Sequence, residues 1–343
     1  MTDIKSMNLN ELTAYLVDNG FEKFRAKQVL NWIKQDAGSF DDMTNIPLKL
    51  REFLKQNAYL ACAEIERIQR SEIDGTVKYL FRLYDGEYVE GVLMRYHHGR
   101  SMCISSQVGC KMGCTFCATG KSGFSRSLTA SEMIAQIRSA ELDCGERISN
   151  VVLMGMGEPF DKYDNVVRFL KLVSSEDSLN IGMRHITIST CGIAPRMREF
   201  ADLGLQCGLS VSLHAPNDEA RSRTMPIDRR YPIAEVMDAS RYYVQKTNRR
   251  ITFEYALIDG ENDSDDSARE LAELLKGLLC HVNLIPVNDV PGAGYRNSSL
   301  KRQKAFVNIL SAAGINATVR RTLGSDIDAS CGQLKRKYMK GDV

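Results

Sequence analysis

The first 75 residues carry apolar side chains at three- and four-residue spacing, which is the period of amphipathic helices. The pattern predicts three short helices, over Leu9–Asn19, Ala26–Gln35 and Leu48–Asn57. From Lys78 to Met94 it changes to two strand-like runs that flank Asp85-Gly86, a pair typical of a tight hairpin turn. We therefore expect an N-terminal helical module over residues 1–75 and a linking β-hairpin over residues 76–100.

Beyond the hairpin, short β-rich runs alternate with helical patterns of ordinary length. The predicted strands lie near Met102–Ser106, Asn150–Met154, His185–Thr190, Gly208–His214, Ile251–Ile258 and His281–Val287. The predicted helices lie near Thr129–Leu142, Tyr163–Val173, Ala194–Leu203, Ile233–Lys246, Ser267–Lys276 and Lys301–Ala313. This alternation predicts an α/β fold with a parallel sheet, but it does not separate a barrel from an open doubly wound sheet.

Four of the predicted strands run into segments rich in Gly, Pro and small polar residues. These segments are Gly155–Pro159, Thr190–Gly192, His214–Asn217 and Pro286–Asn288. Parallel α/β folds place their ligand sites at the carboxyl ends of the strands. One such segment is explained by a simple turn, whereas four of them favour a shared ligand site.

Composition narrows the class of protein. The 343 residues are 26% charged and 43% apolar, values that fit a globular chain and exclude a disordered one. The longest apolar runs fall far short of the roughly 20 residues that span a bilayer, and residues 1–19 are too polar for a secretory signal. We expect a cytoplasmic protein without a membrane partner, in which ten cysteines do not form a disulfide framework.

Three of the cysteines are closely spaced in one predicted loop. Cys110, Cys114 and Cys117 form a Cys-x-x-x-Cys-x-x-Cys motif directly after the strand near Met102–Ser106. Three thiolates can hold three irons of a four-iron cluster and leave the fourth iron without a protein ligand. A structural zinc site needs four ligands, and the loop contains no histidine to complete the set. Zinc and a chance grouping of buried thiols remain the alternatives.

Several further motifs accompany the cysteines. Phe116 precedes the last cysteine of the motif, and Gly155-Met156-Gly157-Glu158 follows the second strand of the alternating region. The segments Ser105–Cys110, Ser212–Asn217 and Asp326–Leu334 add longer stretches. Together they resemble the RlmN/Cfr family of radical S-adenosylmethionine RNA adenosine methyltransferases, over nearly the whole chain. The segment Met154–Phe160 and the pair Arg320-Arg321 look more like the RlmN branch.

The resemblance implies a fold and two cofactors. The fold is a partial (βα)6 radical-SAM barrel over residues 101–300, with a C-terminal extension over residues 301–343. The cofactors are a 4Fe–4S cluster held by Cys110, Cys114 and Cys117, and S-adenosylmethionine, which binds the open iron and yields a 5′-deoxyadenosyl radical. The residues implied to contact S-adenosylmethionine are Gly157, Glu158, Ser189, Ser212, Leu213, His214 and Asn288.

The resemblance also implies roles for three residues outside the cluster motif. Cys331 would take a methyl group from S-adenosylmethionine and, after hydrogen removal by the radical, would be joined to an adenine carbon. Cys103 would release the product by forming a disulfide with Cys331. Glu90 would accept the proton that leaves the adenine carbon, although Gly91 stands where the family is expected to have Ser or Thr. Taken alone, Glu90 is a polar residue on a strand, and each cysteine is a small buried residue.

The net charge of +2 conceals an uneven distribution. From residue 295 onward, ten basic residues stand against three acidic ones, a net charge of +7 that surrounds Cys331. A basic face there suits RNA phosphates, and a solvated helix face is the alternative. The helical module, with Lys23, Arg25, Lys27 and Lys34, is expected to add a second RNA contact.

The implied reaction is methylation of carbon 2 of an adenosine in 23S rRNA, and of the adenosine 3′ of the anticodon in certain tRNAs. The in-family alternative is Cfr-type methylation of carbon 8 of the same 23S rRNA adenosine. An alternative of a different class is a non-catalytic RNA-binding protein with a metal site or a redox-sensing cluster. We further expect a monomer that receives electrons from a donor such as flavodoxin.

Overall fold

We describe the fold from a computed structural model that describes residues 1–35, 37–97, 99–121, 123–176, 178–287, 294–327 and 333–341. The N-terminal module consists of β1 (Thr2–Asp3), α1 (Leu9–Asp18), α2 (Arg25–Lys34), α3 (Leu48–Asn57) and β2 (Ala58–Tyr59). Asn8 caps α1 in a reciprocal capping box with Glu11. The helices enclose a separate apolar core that includes Leu12, Val29 and Leu50. The three predicted helices are confirmed to within one residue.

An antiparallel part of the main sheet follows the module. It contains β3 (Ala63–Arg70), β4 (Val77–Leu83) and β5 (Tyr88–Tyr96). β4 and β5 form the predicted hairpin around Asp85-Gly86. β3 pairs with β4, although the sequence pattern assigns its residues to the helical module. β5 also pairs with the first parallel strand, so the hairpin belongs to the same sheet as the barrel.

The remaining elements form the barrel and the C-terminal extension. In chain order they are β6 (Gly99–Cys103), β7 (Gln107–Gly109), β8 (Phe124–Ser127), α4 (Ala130–Cys144), β9 (Asn150–Leu153), α5 (Tyr163–Val173), β10 (Ile186–Thr190), α6 (Ala194–Asp202), β11 (Gly208–Ser212), α7 (Asp218–Thr224), α8 (Ile233–Thr247), β12 (Ile251–Leu257), α9 (Asp265–Leu275), β13 (Cys280–Pro286), α10 (Leu300–Ala312), β14 (Ala317–Val319) and α11 (Gln333–Lys340). All six predicted strands and the six predicted helices of this region are present, with shifts of a few residues at their ends.

The order of the strands decides between a barrel and a doubly wound sheet. The sheet runs β14-β13-β12-β11-β10-β9-β6-β5-β4-β3, and every neighbouring pair from β6 to β14 is parallel. Each crossover therefore moves to the next strand in one direction, whereas a doubly wound sheet reverses direction at a switch point. The expected partial barrel is confirmed.

The helical module rests on the barrel helices α4 and α5 through polar contacts. The Ser131 hydroxyl at the start of α4 donates to Asp3, and the Ser131 N–H donates to Ser6. Arg168 of α5 pairs with Glu11 and donates to the carbonyl of Ser6. Because the two apolar cores are separate, this polar interface orients the module on the barrel.

Candidate active site

One cavity of about 390 Å³ lies at the carboxyl ends of the parallel strands. Of the predicted site residues, those that line it are Glu90, Cys103, Cys110, Cys114, Cys117, Gly157, Glu158, Ser189, Ser212 and His214. Leu213 is fully buried beneath this surface and is absent from the lining. Asn288 and Cys331 lie outside the described residues. Val287 and Gln333, which stand one and two residues from them in sequence, line the cavity.

The three-cysteine loop is held at both ends by backbone hydrogen bonds. It starts after β7, which pairs with β8, and the Cys110 N–H donates to the Gly123 carbonyl at 2.9 Å. In the middle, the Thr115 N–H donates to the Thr224 carbonyl at 2.9 Å, which ties the loop to the end of α7. The sequence pattern does not predict the short β7–β8 hairpin. The hairpin joins the two ends of the loop, and all three cysteines line the cavity.

The turn after β9 forms a second wall. Gly157 has a φ of +105°, and a Cβ atom there would lie 2.5 Å from the Cβ of Gln107, so the position requires glycine. The carboxylate of Glu158 accepts hydrogen bonds from the Thr190 hydroxyl and the Cys191 N–H, each at 2.7 Å. It therefore ties this turn to the end of β10. Burial raises the pKa of Glu158, and these hydrogen bonds act in the opposite direction.

His214 follows β11 with a φ of +60°, a left-handed conformation that is uncommon for residues other than glycine. Its Nδ1 accepts the N–H of Ala256 at 2.9 Å, so a neutral ring carries its proton on Nε2. Burial, followed by the charge of Arg221, lowers the pKa of His214 to about 3. The ring meets Phe116 edge-on at 4.9 Å. His214 is thus a neutral side chain that links the strand end to the cysteine loop.

Glu90 and Cys103 lie on neighbouring strands of the opposite wall. The side chain of Glu90 is 1% exposed; its Oε2 accepts from Lys78 Nζ at 2.6 Å and its Oε1 from the Lys335 N–H at 2.6 Å. Cys103 is paired in register with Val92, two residues from Glu90, and burial raises the pKa of its thiol. A Cβ atom at Gly91 would lie 2.6 Å from Met102 Cε and 2.9 Å from the Phe81 ring, so a larger residue there requires these side chains to shift.

Comparison with known proteins places this site in a family. A model of the radical SAM superfamily matches residues 104–274, and a model described as the ribosomal RNA large subunit methyltransferase N-terminal domain matches residues 2–60. The chain is 53% identical to a protein of Alkaliphilus oremlandii named "Probable dual-specificity RNA methyltransferase RlmN", over 98% of both chains. The chain belongs to the RlmN family of radical SAM methyltransferases. An equally named protein of Lachnospira eligens is also 53% identical, over 99% of this chain and 97% of that protein.

A solved structure supports the same assignment. A radical SAM methyltransferase from Sphaerobacter thermophilus is 46% identical, with a TM-score of 0.87, over 97% of this chain and 99% of that chain. The match extends over nearly the whole chain and is therefore not confined to the barrel.

The RlmN family implies a 4Fe–4S cluster, and the cysteine loop fits one. Burial raises the pKa of Cys110 to about 12 and that of Cys114 further, so both are neutral thiols until metal ions displace their protons. Among the described residues, no three His, Cys, Asp or Glu side chains are grouped for a single metal ion, as a zinc site requires. A cluster places each thiolate on a separate iron, so its ligands need not meet at one point.

Two charged residues of this RlmN site are absent from the sequence prediction. Arg221 is fully buried and donates to the carbonyls of Cys191 at 2.6 Å and Leu213 at 3.2 Å, and to Asp228 at 2.9 Å. It thereby holds the ends of β10 and β11 together. Nothing in the sequence around Arg221 distinguishes it from the neighbouring arginine of the same helix.

Lys78 is the second such residue. The register of the hairpin places Lys78 opposite Val92, and hence diagonal to Glu90 on the same face of the sheet. The Leu83 N–H donates to the Glu87 carbonyl, so the turn contains three residues. A two-residue turn at Asp85-Gly86 would have placed Lys78 and Glu90 on opposite faces, so the ion pair is not predicted by the sequence pattern. None of the helices in the described part of the chain has the length and apolar character needed to cross a bilayer.

Proposed function

We propose that this chain methylates carbon 2 of an adenosine in 23S rRNA and of the adenosine 3′ of the anticodon in certain tRNAs, through a methyl-cysteine on Cys331. The observation that carries the proposal is the single cavity faced by the three cluster cysteines, Cys103 and Glu90. The printed names of the relatives, dual-specificity RNA methyltransferases, support RNA as the substrate class.

Bound together at this site, the cluster and S-adenosylmethionine supply a methyl group and a hydrogen-abstracting radical. Cys110, Cys114 and Cys117 would hold the cluster. The hydroxyls of Ser189 and Ser212, with the cavity-facing turn at Gly157, would hold the sugar and amino-acid parts of S-adenosylmethionine. Leu213 is proposed as a contact from the family motif; its carbonyl accepts from Arg221 and its N–H donates to the Glu254 carbonyl. Asn288 is proposed as a further contact from the family motif.

Cys331 and Cys103 act as a pair in this proposal. Cys331 accepts the methyl group as a thiolate nucleophile, and Cys103 later forms a disulfide with it to release the modified RNA. The chain on both sides of Cys331 supports its access to the cavity, because Arg320–Leu323 and Gln333 all line it. Burial raises the pKa of the Cys103 thiol, which favours its protonated and less nucleophilic form.

Glu90 is proposed as the base that takes the proton from the adenine carbon. A general base must be ionised and within direct reach of the proton. The carboxylate lines the cavity, and both of its oxygens already accept a hydrogen bond from a protein donor. Donors from β4 and from the start of α11 therefore hold the carboxylate in place at the cavity.

We propose that the RNA contacts the basic C-terminal extension and the N-terminal helical module. Arg320 and Arg321 line the cavity directly. Part of the +7 charge is neutralised within the fold, since Arg302 pairs with Asp265 at 3.0 Å and Lys335 with Glu87 at 3.7 Å. In the module, Arg25 stacks over the half-exposed ring of Phe24, which is a surface suited to an unpaired base.

The test is anaerobic turnover of cluster-reconstituted protein with methyl-labelled S-adenosylmethionine on 23S rRNA fragments and on tRNA. Digestion to nucleosides should yield labelled 2-methyladenosine from both substrates. Finding 8-methyladenosine instead would favour the Cfr-type reaction, and finding no label on RNA would reject the proposal. Cys331→Ala should abolish transfer, whereas Cys144→Ala, a matched change at the end of α4, should not.

We further propose that the enzyme works in the cytoplasm as a monomer and receives electrons from a protein such as flavodoxin. Sedimentation of the holoenzyme tests whether it is a monomer, and a single species at about twice the chain mass would contradict this. Turnover with purified flavodoxin and its reductase in place of dithionite tests the donor.

A further inference from the structure

Lys78 and Glu90 form a buried ion pair at the cavity. The proposed reaction gives Glu90 a role but gives none to Lys78. Lys78 Nζ lies 2.6 Å from Glu90 Oε2, and both side chains are 1% exposed. Two such charges are costly to remove from water unless they stabilise each other. Both residues line the cavity, so the pair stands where the substrate would bind.

The second oxygen of Glu90 is bound from another part of the chain. Oε1 accepts the Lys335 N–H at 2.6 Å, and Lys335 is the third residue of α11. The first N–H groups of a helix have no partner within the helix, so a carboxylate there is well placed. The helix starts two residues after Cys331 in sequence. The carboxylate therefore joins β4, β5 and the start of the helix that follows the methyl carrier.

We propose that Lys78 is the positioning residue for Glu90, keeping its carboxylate ionised and aimed at the adenine carbon during the proton transfer that precedes product release. In this step the proton moves from the adenine carbon to a lone pair of a Glu90 oxygen, and the electron pair of the broken C–H bond stays on the adenine ring. The Lys78 ammonium keeps its own protons and stabilises the carboxylate before transfer. The inference rests on the proposed role of Glu90.

The role predicts which step fails when the ammonium is removed. Without Lys78, an isolated carboxylate in this buried site is disfavoured, so proton transfer from the RNA–Cys331 adduct slows. Methylation of Cys331 does not use Glu90, so it should continue. The variant should therefore accumulate the covalent protein–RNA adduct, at least tenfold over the wild-type protein, with an unchanged KM for RNA.

The experiment uses the cluster-loaded full chain. Lys78→Ala should accumulate the adduct, and added propylammonium, which matches the deleted atoms, should restore product release, whereas propanol should not. Arg82→Met changes a cation on the same strand that pairs with exposed Glu64, and it should behave as the wild-type protein. Resolution of the adduct at the wild-type rate in Lys78→Ala, or equal rescue by propanol, would overturn the proposal.

A second set of variants guards against a folding defect. Lys78→Met and Glu90→Gln combined remove both charges, and iron content and thermal melting report whether the protein folds. If Lys78 acts through Glu90, adding Lys78→Met to Glu90→Gln should not lengthen the lifetime of the adduct further; additive slowing would contradict the inference. Cys103→Ala should trap the adduct in any case, so its failure to do so would count against the proposed reaction and not against Lys78 alone.

Discussion

Replacing Arg221 by methionine removes a guanidinium that is fully buried and donates to Asp228 and to four backbone carbonyls. Asp228, 3% exposed, loses its charged partner, and the carbonyls of Cys191 and Leu213 lose a donor. Breaking a buried ion pair on one side costs about 3–5 kcal/mol. With an unfolding entropy of about 0.7 kcal/mol/K for a chain of this length, the apparent Tm should fall by about 4–7 °C.

Differential scanning calorimetry of the anaerobic protein measures this shift. Arg223→Met is the matched control, because Arg223 lies on the same helix and pairs with Glu219 at 3.2 Å on the surface. Exposed pairs contribute about 0–1 kcal/mol, so the same conversion gives a change in Tm of no more than about 1.5 °C. Arg221→Met/Asp228→Leu, which removes both buried charges, should recover at least half of the loss.

Arg221→Met should also weaken S-adenosylmethionine binding. Arg221 holds the ends of β10 and β11, where Ser189 and Ser212 line the cavity. Equilibrium dialysis with the labelled cofactor measures this effect. Equal Tm values for Arg221→Met and Arg223→Met, with unchanged binding, would refute the reasoning that buried Arg221 organises the site.

Three further predictions concern the cavity. Gly157→Ala should abolish S-adenosylmethionine binding in equilibrium dialysis while the protein still folds, because the φ of +105° and the 2.5 Å approach to Gln107 exclude a Cβ atom; retained binding would argue against this wall as the contact surface. Cys114→Ser should lower the iron content after reconstitution, whereas Cys144→Ser should not; equal iron in both would reject the loop as the cluster site. The pKa of His214 in the folded state is about 3, below its ordinary value of 6.5. Between pH 6.5 and 3 the unfolded chain therefore binds more protons than the folded chain, so the free energy of unfolding decreases as the pH falls. His214→Asn, which tolerates the left-handed backbone, should lose less Tm than the wild-type protein between pH 6.5 and 5, and parallel losses would contradict the assignment.

Local patterns in the sequence determined the elements and the family. Helix periodicity, the Asp85-Gly86 turn and the alternation of strands and helices depend on neighbouring residues, so they are readable along the chain. The cysteine motif is likewise local, because its three thiols lie on one loop. The resemblance of several motifs in a fixed order then predicted the barrel, the cofactors and the residues that meet at one cavity.

Strand order and the partners of buried charges were decided by the tertiary structure. The alternation of strands and helices is compatible with both a barrel and a doubly wound sheet. The order of the parallel strands from β6 to β14, which runs in one direction, distinguishes the two folds. Lys335 meets Glu90 across 245 residues, a contact that no local pattern encodes. Arg221 and Arg223 have similar neighbours in the sequence, yet one is fully buried and the other is exposed. Periodicity follows from the geometry of one element, whereas the partner of a buried charge depends on how distant elements pack.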